Sequence, residues 1–456
     1  MYKKITYLFL LSIFILGSGF GCKTTNKQTA EAMQPITLNY WRVFDGPDAF
    51  SDIIADYKVV HPNITINYRK LRYEEYEAEL LNALAEDRGP DILSIHNTWL
   101  KKYQNKLSPM PATITMAYQE EQGSIKKEVV SVLKTYRSPN LKDLRDDFVD
   151  AVFNDVVLDS SQIYGLPLSV DTLALYYNRD LFNNAGITQA PLYWNKDFQQ
   201  TVKKLTKQDS VQGITQAGIA LGGDVNIERY SDILSVLMMQ NGATMISGKQ
   251  VLFNAIPAAT KDTNYNPGLE ALRFYIDFAN PGKEVYSWNE DLPNSLNMFI
   301  NGKLAMMLGY SYNLADIKAS APKLNFGVSK LPQIEGSPVE VNFANYWVET
   351  VSKKSTHQNE AWDFIIFATK EAEAKKYLEK TNKPTALRSL VSEQRNDINI
   401  GVFADQVLTA KSWYSGLDVA AAETAIGEMI RKAREGSEKI LDVLNTGAAK
   451  VQQTLN

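Results

Sequence analysis

The chain is predicted to fold as an α/β protein of two or three lobes, and three observations carry that expectation. Its 456 residues are 45% hydrophobic and 22% charged, enough apolar material to bury more than one large core. Between Ile36 and Ile95 the patterns run strand, helix, strand, helix, strand, the alternation that builds a parallel sheet with its ligand face at the strand C-termini. Residues 168–177 read as a strand buried on both faces, yet they carry a carboxylate, Asp171, which needs a partner from the protein or from a ligand.

In chain order, Lys3 and Lys4 precede an apolar run over 5–20 that stops at Gly21 and Cys22. Some ~16 apolar residues are short for a bilayer-spanning helix, and this is the layout of a secretory signal peptide over 1–21. Cys22 is the only cysteine and stands where a bacterial lipoprotein carries its lipid, although Gly19 replaces the usual branched apolar residue three positions before it. The protein is expected to be exported, at the cell surface or in the periplasm, and anchored to the bacterial cell membrane by lipidated Cys22. Residues 22–35, rich in Lys, Thr, Gln and Ala, are expected as a flexible tether. No later run approaches ~18 apolar residues, so no second span is expected. The formal net charge of −4 provides no field to attract nucleic acid.

The folded body opens with Ile36, Leu38 and Tyr40 alternating with polar residues before a loop from Trp41 to Pro47. Helical spacing over 50–57 is ended by His61, Pro62 and Asn63, and Ile64, Ile66 and Tyr68 then alternate as a second strand. A helix over 73–85 and a strand over 91–95 lead into His96-Asn97-Thr98-Trp99. Residues 108–140, with three prolines, are read as an insertion of short helices. A single helix is predicted over 141–157, with Leu144, Phe148, Val149, Val152 and Val156 on one face. Further helices are expected at 193–206, 230–240, 266–278, 296–301 and 359–379, with a polar loop over 281–294 carrying Trp288. A buried strand over 303–308 ends at Tyr310 and Tyr312, and an Ala-rich helical tail occupies 418–453.

The order of several stretches resembles a known family: GPDILSIHNTWL at 89–100, YGLPLSVDTLALYYNRDLFNNAGI at 164–187, YWNKDFQQTVKKLT at 193–206, GKLAMMLGYSYN at 302–313 and FGVSKLPQIEG at 326–336. These look like the successive motifs of the extracellular solute-binding proteins of ABC transporters, in the sugar-binding branch that includes maltose-binding protein. The resemblance implies a two-lobed periplasmic-binding-protein-like fold of type II, with a cleft between two α/β domains. It puts 36–167 and 346–388 in the N-lobe and 168–345 and 389–456 in the C-lobe, with crossings near 168–171 and 343–348. It implies a binding protein, not an enzyme, that captures a carbohydrate such as an oligosaccharide and delivers it to the permease subunits of an importer. The protein is expected to act as a monomer, with no cofactor.

A site for an uncharged sugar needs carboxylates and amides for its hydroxyls and aromatic rings for its faces. Trp41 and Asp45, at the end of the first strand, resemble the family's first ligand loop, and Asn97 and Trp99 the second; core packing and helix capping are the alternatives. Asp171 is expected to meet ligand, or else an arginine such as Arg179 or Arg388. Tyr310 or Tyr312 is expected to present an aromatic platform, Tyr310 in preference. Trp288, Trp347 and Trp413 complete the candidates. The three histidines, His61, His96 and His357, form no pair at ligand spacing, so no metal is expected. A secreted glycoside hydrolase would need two carboxyl groups about 5–10 Å apart, for which only Asp45 and Asp171 offer themselves. A non-sugar solute in the same fold is the remaining alternative.

Overall fold

The computed structural model describes residues 27–455 except 125–126, 159–160, 212 and 259–263. The expected signal peptide and Cys22 lie outside the described residues. Of the expected tether, Lys27–Ala32 forms a short helix, α1, with Thr29 buried, packed against a hairpin described below. That part is therefore docked on the body and is not a free linker.

Strand β1 (Ile36–Val43) is followed by α2 (Ser51–Val60), which buries Ile53 and Tyr57 at a four-residue spacing. Strand β2 (Ile64–Leu71) pairs in parallel with β1 along its whole length, from Ile36↔Ile64 to Val43↔Leu71. Helix α3 (Tyr73–Ala85) starts two residues after β2 and buries Tyr76, Leu80, Ala83 and Leu84 on one stripe, which leaves Tyr73 at the strand's C-terminal end. Strand β3 (Ile92–His96) joins β1 in parallel, as the alternation requires. After β4 (Leu107–Ser108) none of the expected short helices is found among the described residues. Residues there form a long antiparallel hairpin, β5 (Thr113–Gln122) and β6 (Glu128–Arg137), registered from Thr113↔Arg137 to Gln122↔Glu128. The three prolines flank the strands rather than interrupt them, and Val129, Val130, Val132 and the threonines favour extended backbone.

The predicted helix over 141–157 is two helices, α4 (Leu141–Asp147) and α5 (Asp150–Val156). Phe148 and Val149 between them are extended, because Phe148 bridges to Leu387 and the Val149 N–H donates to the Ala386 carbonyl. The chain then runs through β7 (Asp171–Thr172) into β8 (Ala174–Asn178). Helix α6 (Tyr230–Gln240) follows, and β9 (Met306–Gly309) and β10 (Phe326–Lys330) flank β8 on either side, both antiparallel. Strands β11 (Asn342–Asn345) and β12 (Trp347–Ser352) come next, and β12 completes a five-stranded sheet of order β2-β1-β3-β12-β4. The helix expected over 359–379 is split into α7 (Gln358–Ala368) and α8 (Glu371–Thr381). Beyond β13 (Ala410–Lys411), the Ala-rich tail is α9 (Val419–Glu435) and α10 (Ile440–Gln453), broken where Gly436 takes the left-handed conformation at φ 68°.

Two apolar cores result. One includes Leu38, Tyr40, Ile95, Val170, Ala344, Tyr346 and Val348; the other includes Leu173, Leu175, Ile233, Leu308, Phe343 and Tyr414. Membership changes between Val170 and Leu173 and between Phe343 and Ala344, and beyond Val391 it alternates, with Phe403 in the second core, Val407 and Ala410 in the first and Tyr414 in the second again. Two crossings were expected; three of the places where the chain passes between the cores, at β7, β11 and β13, hydrogen-bond as one small sheet of order β13-β11-β7. Leu390, Val391, Val407 and Ala410 pack in the first core, although 389–456 was assigned to the C-lobe.

Candidate functional site

The crossings bring the two lobes face to face around a cavity of about 20 Å³, room for roughly one water. His96 and Thr98 come from the end of β3, Asn345 and Trp413 from the crossings, and Arg229, Asp232 and Glu423 from the second lobe.

Arg229 caps α6 with φ 55°, a left-handed conformation uncommon for a residue with a side chain. That turn aims its guanidinium at two acids. Nε and Nη2 donate to the two oxygens of Asp232, each at 2.8 Å, and Nη2 also donates to Glu423 Oε1 at 2.8 Å. The Tyr310 hydroxyl donates to Asp232 Oδ2 at 2.7 Å from below. Burial holds the Glu423 carboxyl above its ordinary range, with Arg229 opposing that shift.

Opposite lies an aromatic wall. Phe44, 54% exposed and also left-handed at φ 63°, stacks on Tyr73 with ring centres 5.5 Å apart. Trp347 presents its edge to Phe44, Tyr73, Tyr76, His96 and Trp99, all within 6.2 Å. Burial raises the Tyr73 pKa, and the charges of Arg229 and Glu423 reach its hydroxyl from the other lobe. His96 is pushed down to about 4 by burial and is neutral at neutral pH. Its Nε2 faces Asn345 Oδ1 at 3.1 Å and its Nδ1 faces Thr98 Oγ1 at 2.7 Å; with Nε2–H donating to the amide oxygen, Nδ1 accepts from the hydroxyl.

The sequence candidates divide between this site and the interior. Trp347 and Trp413 are half-buried at or beside the cavity, and the Trp413 ring meets Tyr414 edge-on at 5.5 Å. Trp99 is buried behind Trp347, and Asn97 is buried with Nδ2 donating to Asp155 at 3.0 Å. Tyr312 is 46% exposed and stacks on Tyr310, which is fully buried, so the expected preference between the two is reversed. Trp288 is also fully buried. Its indole N–H donates to Asn226 Oδ1 at 2.8 Å, so the polar loop closes over the ring rather than offering it to the cleft. Trp41 is buried under the Arg69 guanidinium. Asp45 is taken up by Lys383 at 2.7 Å, Tyr377 at 2.9 Å and Arg42 at 3.2 Å, a cationic setting that holds its carboxyl below the ordinary range against its burial.

Asp171 pairs with neither of the arginines foreseen for it. Its carboxylate accepts from the Ser311 N–H at 3.0 Å, the Ser311 hydroxyl at 2.7 Å and the Thr172 N–H at 2.8 Å, and burial pushes it up to about 6. Arg388 instead pairs with Asp150, and Arg179 lies over the Tyr177 ring. Asp171 thus fastens the first crossing to the start of the segment that carries Tyr312.

Sequence reasoning missed Phe44, Tyr73, Arg229, Asp232 and Glu423. Phe44 stood inside the loop singled out between Trp41 and Pro47. Glu423 is an acid in an Ala-rich helix, and nothing local distinguishes it from a solvent-facing one. Among the described residues, no group of three or more His, Cys, Asp or Glu is placed to hold a metal ion. Nor is any described helix long and apolar enough to cross a membrane.

The chain is 24% identical over 321 residues to the maltodextrin-binding protein MdxE of Bacillus subtilis, covering 68% of this chain and 70% of that protein. It is 24% identical over 376 residues to the sn-glycerol-3-phosphate-binding periplasmic protein UgpB of Yersinia enterocolitica, covering 77% and 74%. Among solved structures, the cyclic alpha-maltosyl-1,6-maltose binding protein of Arthrobacter globiformis superposes with a TM-score of 0.71 at 18% identity, over 92% of this chain and 99% of that one. The sugar-binding protein MalE of Xanthomonas citri gives 0.68 at 19% identity, over 92% and 97%. Likeness at that identity speaks for the shared two-lobed fold. Residues 45–375 match the bacterial extracellular solute-binding proteins, and with nearly three quarters of its length matched, the chain belongs to that family of binding proteins.

Proposed function

We propose that the protein captures an uncharged carbohydrate, such as an oligosaccharide, in the interlobe cleft and delivers it to the permease subunits of an ABC importer while tethered to the membrane by a lipid on Cys22. The observation that carries the carbohydrate reading is the pairing of the Phe44–Tyr73–Trp347 wall with the Arg229–Asp232–Glu423 group across the cleft. Aromatic faces take the apolar side of a pyranose, and fixed donors and acceptors take its hydroxyls. Relatives that bind maltodextrin and glycerol phosphate suggest different ligands, and charge separates them. Arg229 is the one lysine or arginine among the described residues lining the cavity, and Asp232 and Glu423 already match its charge with two of the opposite sign. A phosphorylated polyol would meet a net negative wall, whereas a neutral sugar inserts its hydroxyls among these groups without that repulsion.

Capture works as a population shift. A ligand that touches both lobes only when they are closed adds its differential affinity to closure, and the closed surface is what a permease reads. Thermal-shift measurements with neutral oligosaccharides and with sn-glycerol 3-phosphate test the reading. Saturating sugar at ~100 times its dissociation constant adds about 2.7 kcal/mol to stability. A shift with glycerol phosphate and none with any sugar would overturn the proposal.

A further inference from the structure

Asp155, near the end of α5, is not part of the cavity wall. Its carboxylate gathers donors from three separate stretches of chain. Oδ2 accepts from Asn97 Nδ2 at 3.0 Å and from the Tyr346 hydroxyl at 2.6 Å, and Oδ1 accepts from the Ser412 hydroxyl. All three partners are neutral, and no cation offsets the burial that holds this acid above the ordinary carboxylate range. Each donor also stands beside a tryptophan: Asn97 is two residues before Trp99, Tyr346 directly before Trp347, and Ser412 directly before Trp413. Tyr346 and Ser412 belong to the second and third crossings, the first between β11 and β12 and the other just past β13.

A half-buried carboxylate held only by neutral donors is a poor source of stability. What it supplies is geometry, since its donors converge only if three loops keep their places. We infer that Asp155 is a positioning residue of the ligand site: one carboxylate fixes the loops that bear Trp99, Trp347 and Trp413 and ties two of the three crossings to α5. Apart from its affinity arm, the inference stands independently of the carbohydrate reading.

The test compares the wild-type protein with Asp155→Ala, Ser412→Ala, their double variant, and Asp150→Asn, a control on the same helix whose exposed carboxylate pairs with Arg388. Near-UV circular dichroism of the unliganded proteins reads the tryptophan settings, and stopped-flow titration with a linear maltodextrin reads affinity and rates. Loss of a hydrogen-bond network to a charged group is expected to weaken binding by about ten-fold or more, mostly through faster dissociation. The tryptophan bands change in Asp155→Ala, the double variant adds little to either single variant because the two residues share one contact, and Asp150→Asn matches the wild type. Unchanged tryptophan bands with affinity within two-fold of wild type in a folded Asp155→Ala protein would overturn the inference. Should Asp155→Ala not fold, Ser412→Ala and Tyr346→Phe each remove one donor, and wild-type tryptophan bands in both overturn it equally. If no maltodextrin binds the wild type, the spectra and the double variant still decide the matter.

Discussion

Exposure sorts aromatic residues that look alike in the sequence. Tyr73 and Phe44 stack on each other about half exposed, whereas Trp288 and Tyr310 are wholly enclosed. Tyr73→Ala is therefore expected to weaken sugar binding by several-fold to about ten-fold with little change in unfolding free energy, since an aromatic contact contributes about 0.5–1.5 kcal/mol beyond its buried area. Trp288→Ala is expected to cost about 3–5 kcal/mol of stability. Calorimetric titration and denaturant unfolding of both variants separate the two roles, and similar stability losses would put Tyr73 in the core. These roles were hidden in the sequence because they depend on backbone turns. The left-handed conformation at Phe44 points that ring outward, and the one at Arg229 swings its guanidinium toward Asp232 and Glu423. Asp45 and Asp171 were legible as acids that need partners, but whether the partner is Lys383, Ser311 or a sugar is decided by contacts far along the chain. Asp171 has a linked pH effect. Its folded-state pKa is raised from the ordinary 3.8 to about 6, so its contribution to stability is full in acid and is lost as pH rises from about 4 to about 6. The unfolding free energy of wild type minus that of Asp171→Asn is expected to fall across that window, and a flat difference would contradict the assignment. His96, depressed to about 4, acts in the opposite sense, losing its contribution as pH falls from about 6.5, which is why the difference between variants is the quantity to follow.

Among elements, those whose pattern comes from local burial were read correctly. The β1–α2–β2–α3–β3 run followed from apolar spacing, and its parallel pairing from the helices between the strands. Elements set by distant contacts were not. The break between α4 and α5 follows from Phe148 and Val149 bonding to Leu387 and Ala386, and the third crossing at β13 is two residues pairing with β11. The hairpin of β5 and β6 is held to its lobe by a buried acid on α7. Asp363 accepts from Tyr57 at 2.7 Å, from Tyr118 at 3.1 Å and from Tyr136, and His61 Nε2 lies 3.1 Å away while its Nδ1 donates to the Ala117 carbonyl of β5. Asp363→Ala leaves several buried donors without an acceptor and is expected to cost about 3–5 kcal/mol. Hydrogen exchange should quicken in Thr113–Gln122 and Glu128–Arg137 while sugar affinity of the folded protein holds. Unchanged protection there would show that the hairpin is secured by other contacts.

As a whole molecule, the protein joins two cores through three short strands and sets an aromatic wall from one lobe beside a polar group of one arginine and two acids from the other. The two-lobed layout was legible because motif order survives where single motifs are weak. The cleft chemistry was legible only in kind, since it depends on which residues meet when separate lobes close. A ligand that bridges the lobes shifts the population toward the closed form. The most direct test is isothermal titration of the exported chain with neutral oligosaccharides and with sn-glycerol 3-phosphate, in wild type and in Glu423→Gln. Binding of one neutral oligosaccharide per chain, weakened in Glu423→Gln, with no heat from glycerol phosphate, is the expected result. Tight binding of glycerol phosphate to the wild type, with no saccharide bound, would contradict the account.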